Sequence, residues 1–135
     1  MNDRYLSSSW SIEVPPAWRI EEAEECIGLV PADERGALQI SAYTKTGLDI
    51  PLEDMRRFAR ERSPGQSEPT AVRCGDFHGF TSEYAEDGVS WRGWWLAAGP
   101  HHLYVTWNTE LNDPQVHRDV VNELMTTLRL RDSAA

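Results

Sequence analysis

The residues of this chain best suited to chemistry are six tryptophans, at positions 10, 18, 91, 94, 95 and 107, and four histidines, at 78, 101, 102 and 117. A zinc site needs three or four converging ligands, and the adjacent pair His101 and His102 points to opposite sides of a strand. Metal is therefore not expected, and the pair reads as the wet end of a hairpin. Cys26 and Cys74 stand far apart with no CxxC and no histidine at ligand spacing, which suits two free, buried thiols in a reducing compartment. No G-x-S-x-G elbow positions a nucleophile, and no P-loop or G-x-G-x-x-G follows a strand. The expected catalytic set is empty, no cofactor is implied, and the chain reads as a non-enzyme.

What remains is recognition by aromatic side chains. Trp94 shares one face of a strand with Arg92 and Leu96, while Tyr104 alternates with Leu103, Val105 and Trp107 on the next segment. Arg92, Trp94, Leu96 and Tyr104 are the candidate binding residues, a partly uncovered patch on which an apolar peptide or helix settles. Trp10, Trp91, Trp95 and Trp107 are assigned to the core, where large aromatics fill the space between sheet and helices. By that reading Trp95→Ala unfolds the domain and Trp94→Ala leaves it folded.

These residues need elements to hold them. Residues 9–14 alternate apolar Trp10, Ile12 and Val14 with polar neighbours at the two-residue period of a half-buried strand, ended by Pro15-Pro16. Trp18 and Ile20 suit a short strand before the acidic stretch 21–25. Residues 26–30 and 37–43 are further strands, the second closed by Lys45-Thr46-Gly47. At Leu52, Met55, Phe58 and Ala59 the period becomes helical. Pro51 suits the first turn of that helix, and Ser63-Pro64-Gly65 suits its end. Strands follow over 70–74, 77–86, 89–98 and 101–109, joined by Gly75-Asp76, Asp87-Gly88 and Gly99-Pro100 turns. A terminal helix is expected from an Asn112 or Asp113 cap and Pro114, with Val116, Val120, Leu124 and Leu128 on one face.

The order β-β-β-α-β-β-β-β-α predicts an α+β domain with a mainly antiparallel sheet and a helix on each face, an α/β/α sandwich. From Trp94 onward both alternating sets of residues 89–98 are apolar, so this strand is expected to be covered on both sides. The whole chain of 135 residues is one domain's worth, with its core over about 9–130.

Several features together resemble the Mog1/PsbP-like proteins, in particular bacterial DUF1795-type members. They are an opening SIEVPPAW (11–18), a mid-chain helix, a hairpin with a tryptophan-rich second strand, a strand of the type LYVTWN, and a terminal helix ending in LRL. The resemblance implies the sandwich just described and a binding role. Members of that superfamily include a Ran-binding import factor, a photosystem II extrinsic subunit and bacterial adaptors that chaperone secreted effectors. No residue role is carried over from it.

Charge narrows the partners. Thirteen Lys plus Arg against 22 Asp plus Glu leave −9, which repels nucleic acid and anionic lipid at long range. No run of apolar residues approaches membrane-spanning length, so membrane insertion is not expected. The start, MNDRYLSSSW, lacks the apolar stretch of a secretory signal, and a cytoplasmic location is expected. Glu21, Glu22, Glu24, Glu25, Asp33 and Glu34 form an acidic block, and Arg56, Arg57, Arg60 and Arg62 a basic helix face. Both read as solvated surface. The expected role is a protein-binding module, an adaptor, chaperone or immunity-like partner of another protein. The alternative is a small-ligand carrier or sensor with a pocket between the tryptophan strands and a helix.

Overall fold

The computed structural model describes residues 3–24, 26–44, 52–62, 68–110, 112–113 and 115–131. In chain order the strands are β1 (Asp3–Leu6), β2 (Trp10–Val14), β3 (Arg19–Glu22), β4 (Ile27–Val30), β5 (Ala37–Thr44), β6 (Thr70–Cys74), β7 (Phe77–Glu86), β8 (Val89–Ala98), β9 (His101–Glu110) and β10 (Arg129–Leu130). The helices are α1 (Leu52–Arg62), between β5 and β6, and α2 (Arg118–Met125), between β9 and β10. Pro51, Pro114, Glu25, the Lys45-Thr46-Gly47 turn and the Ser63-Pro64-Gly65 stop lie outside the described residues.

Seven strands form one antiparallel sheet in the order β3-β4-β5-β9-β8-β7-β6, and β1, β2 and β10 form a second. The three long strands β7, β8 and β9 make a meander because their turns can take positive φ. Asp87 and Gly88 sit at +54° and +77°, the type I′ requirement, and Gly99 at +60°. The α+β class with an antiparallel sheet is as the sequence indicates.

Cross-strand partners share a face, so the register sorts the side chains. One face carries Leu29, Leu38, Ile40, Val105, Leu103, Trp107, Trp94, Leu96 and Phe77, and it packs against Trp10, Ile12 and Val14 of β2 and Val121, Leu124, Met125 and Leu128 from α2 and the segment after it. This is the main core and is called the α2 face. On α1, Met55 and Ala59 are buried but stand apart from that core, and the helix packs on β7 and β8. It therefore covers part of the opposite face, called the α1 face.

Three elements differ from the sequence reading. Residues 3–6 pair with β2, although their alternation is too short to mark a strand. Arg4 anchors them, donating to Ser11 Oγ at 2.9 Å and to the Thr127 carbonyl at 3.1 Å. Residues 19–22 form the short strand expected around Ile20, but it runs into the acidic Glu21 and Glu22 and leaves every side chain exposed, held by main-chain pairing to β4 and by Arg19 donating to Glu34 at 2.9 Å. The terminal helix is shorter than expected: it starts at Arg118, not near Asn112 or Asp113. His117 takes a left-handed conformation, φ 58°, which interrupts any helix entering from Val116, and Asp113 is instead committed to Arg35. At the other end α2 stops at Met125, and Leu128 is buried beyond it, just before β10.

Candidate functional site

The four sequence-selected residues do not form one patch. Trp94 and Leu96 are each 1 % exposed, sealed in the core under β2 and α2. The expectation that Trp94 is uncovered and Trp95 is core is reversed. The cause is strand register: Trp94 pairs with Val105 and Thr81 on the α2 face, whereas Trp95 pairs with Tyr104 and Phe80 on the α1 face. Tyr104 is thus separated from Trp94 and Leu96 by the sheet itself. Arg92 stays with Trp94, its guanidinium 4.6 Å over the indole. Of the expected core tryptophans, Trp10 and Trp107 are buried, while Trp91 and Trp95 are only half-buried.

The α1 face carries an aromatic row whose two tryptophans, Trp91 and Trp95, the sequence reading assigned to the interior. Trp91 of β8 stacks on Tyr84 of β7, with centroids 6.3 Å apart and planes 5° from parallel. Four residues along, Trp95 lies 5.4 Å from Tyr104 of β9. Gly93 stands between them because the Trp95 ring occupies its side-chain space: a Cβ there would come within 2.6 Å of the indole. Tyr84 is buried, whereas Trp91, Trp95, Phe80 and Tyr104 keep partial exposure beside Ser41 and the exposed Gln39 of β5. This arrangement is a gripping surface of indole and phenol rings with polar rims, rigid because it is built on three long strands.

A second feature lies at the end of the sheet, where the β4–β5 loop, the β7–β8 turn and the segment after β9 surround a cleft of about 410 Å³. Its lining includes Asp33, Glu34, Arg35, Gly36, Glu110 and Asp113. Three of the carboxylates are paired within the fold, Glu34 accepting from Arg19 at 2.9 Å. Arg35 pairs with Asp113, and His117 Nε2 lies 2.9 and 3.0 Å from the Asp33 oxygens. The Arg35 main-chain N–H, donating to Asp33 at 3.0 Å, and then His117 hold the Asp33 carboxyl below its usual range. His117 in turn rests edge-on against Trp18 and Trp107, which stack on each other at 5.9 Å. Gly36 makes this packing possible, since a Cβ at its φ of +141° would meet the Trp107 ring at 2.5 Å. The pairs therefore clip the β4–β5 loop to the start of α2. Among the described residues, the cleft lining contains one hydroxyl, that of buried Thr109, and no cysteine. This space is at the sheet's end, not between the tryptophan strands and a helix as the carrier reading expects.

Elsewhere, His102 is 3 % exposed and not at a wet hairpin end, because β9 is the central strand of the sheet. Cys26 and Cys74 are free thiols, and burial pushes the Cys74 thiol up to about 11. Among the described residues, no three His, Cys, Asp or Glu side chains gather as a metal-holding group, and no helix is long and apolar enough to cross a membrane.

No protein-family model matches the chain, and no curated protein matches it. Solved structures do. A crystal structure from Bacteroides thetaiotaomicron superposes with a TM-score of 0.70 at 16 % identity, over 98 % of this chain and 49 % of that one, so the chain spans about half of that protein's length. LpqN of Mycobacterium tuberculosis, described as involved in cell envelope biogenesis, gives 0.61 at 17 % identity, over 97 % of this chain and 86 % of that one. The cyanobacterial PsbP protein CyanoP from Synechocystis gives 0.53 at 8 % identity, over 96 % and 92 % of the two chains. The fold is PsbP-like, in agreement with the resemblance seen in the sequence.

Proposed function

We propose that this PsbP-like chain is a non-enzymatic module that binds another protein through the α1 face of β8 and β9. The observation that carries the reading is the half-exposed row of Trp91, Trp95 and Tyr104, flat and rigid on adjacent strands. Tryptophan and tyrosine combine large apolar area with few rotatable bonds and dominate the energetic centres of protein interfaces. Leaving such rings in contact with water has a cost that a partner surface removes. The net charge of −9 and the exposed Glu21, Glu22 and Glu24 favour a partner with a basic rim, and they act on approach more than on final affinity. An adaptor or chaperone working in the cytoplasm fits this surface.

The test is affinity capture from extract of the source cells with the native chain and with a Trp91→Ser/Trp95→Ser variant of unchanged fold by circular dichroism. The expected result is a stoichiometric protein partner retained by the first and lost by the second, with tryptophan emission flat across a metabolite panel. Capture of the same partner by both chains, or a saturable emission change with a small molecule and no captured protein, overturns the reading.

A further inference from the structure

At the margin of the α2 face, on the side of the sheet away from the proposed protein-binding row, one half-buried cation makes no ion pair of its own and shares its nearby carboxylate, Glu83, with a second cation. The Arg92 guanidinium is half-buried, lies 4.6 Å over Trp94, and donates from Nε to Thr81 Oγ1 at 3.2 Å and from Nη1 to Asn122 Oδ1 at 2.5 Å. Both acceptors are neutral. Among the described residues Arg92 makes no ion pair, although Arg19, Arg35, Arg56, Arg60 and Arg118 each have a carboxylate. Three of its five N–H donors are left over by the two bonds to Thr81 and Asn122. Beside it, Arg118 of α2 donates to Glu83 at 2.6 Å, so two guanidinium charges share one carboxylate. Burial, and then the neighbouring Arg118 charge, make the cationic form of Arg92 harder to hold than usual. A partly desolvated charge is stable only with hydrogen bonds and an opposite charge, and here the carboxylate that faces it across the strand pair, Glu83, is already bonded to Arg118.

We propose that Arg92, Arg118 and Asn122 frame an oxyanion-binding corner, with Arg92 supplying the planar fork and Arg118 the second positive charge, for a carboxylate or a phosphate group. The guanidinium fork matches two oxygens of either group. Trp94 supports it from beneath and fixes its plane. Asn122 and Glu83 are exposed, so the corner opens to solvent. The inference stands apart from the α1-face reading, because the residues belong to the opposite face and use charge where that row uses apolar rings.

The experiment titrates the full chain at constant ionic strength with acetate and, separately, with inorganic phosphate. Chloride is the control, and the Arg92 Nε–H and Trp94 Nε1–H resonances are followed by NMR. A saturable shift with acetate or phosphate that chloride does not produce is expected, and the arm that saturates at lower concentration identifies the oxyanion class. In Arg92→Gln the saturable response should weaken by about tenfold or more, as for loss of a charged hydrogen-bonding partner. Arg118→Gln leaves the contacts of Arg92 with Thr81, Trp94 and Asn122 in place. It should weaken the response by about two- to fivefold, the scale of one partly exposed charge, and so decides the matter if Arg92→Gln fails to fold. Absence of a saturable shift with both anions overturns the proposal, and so does a response undiminished by Arg118→Gln, since Arg92 would then only pin α2 to the sheet.

Discussion

Two adjacent indoles illustrate how much one residue of register decides. Trp94 is enclosed by β2 and α2, so Trp94→Ala removes a fully buried aromatic and should lower unfolding free energy by about 3–5 kcal/mol. Trp95 keeps one side toward solvent, and Trp95→Ala should cost about half as much or less, the part due to its contacts with Gly93 and Tyr104. Urea denaturation of the two variants checks the order. The Cys74 thiol offers a second test. Its folded value of about 11 lies above the ordinary 9.0. An acid whose pKa is raised by folding keeps its proton longer in the native state, so the unfolded chain ionises first as pH climbs. Stability should fall between pH 9 and 11, by roughly 2 kcal/mol from this group, and the loss should be absent in Cys74→Ala when the two proteins are compared across that range.

Among the elements, the tight turn between β6 and β7 does more than reverse the chain. Gly75, at φ +63°, lets the turn approach the segment after α2 so closely that a Cβ would lie 1.9 Å from the Leu128 carbonyl oxygen. Asp76 N–H donates to that same oxygen at 3.0 Å, and the Asp76 carboxylate accepts from Leu130 N–H at 2.9 Å. This contact holds the segment after α2 against the β6–β7 turn, beside the point where β10 pairs with β2. Gly88, at φ +77°, has open space where a Cβ would go. Alanine at either position strains the backbone by about 1 kcal/mol, but only at Gly75 does it also collide with main chain. Gly75→Ala should therefore destabilise by at least 2 kcal/mol more than Gly88→Ala, read as the difference in urea midpoints at constant slope.

For the molecule as a whole, protection should follow the layering. β9, β8 and β5 lie in the middle of the seven-stranded sheet and carry the main core, whereas β3 is an edge strand with all its side chains exposed. Native-state hydrogen exchange should be slowest in β9 and β8 and fastest in β1, β3 and β10, since edge hydrogen bonds open without disturbing the core. Fast exchange in β9 would contradict the layer assignment. The same layering explains why the two candidate surfaces are independent: the sheet stands between the aromatic row and the arginine corner.

The legible part of this fold was whatever depends on local pattern. The period of two in 77–86, the helical stripe from Leu52 and the Asp87-Gly88 and Gly99 turns are properties of neighbouring residues, and the structure places strands, helix and turns there. Element order then suffices for the α+β class. The candidate site was not legible, because 94–98 is apolar on both alternating sets and alternation alone does not say which set meets the larger core. That choice is made by β2 and α2, distant in sequence, which cover Trp94 and leave Trp95 and Tyr104 on the other side. The charge of Arg92 shows the same division. Its type and strand position are written in the chain, but its place beside Arg118 and Asn122 exists only once α2 packs across the sheet, because burial and counter-charge are properties of neighbours in space.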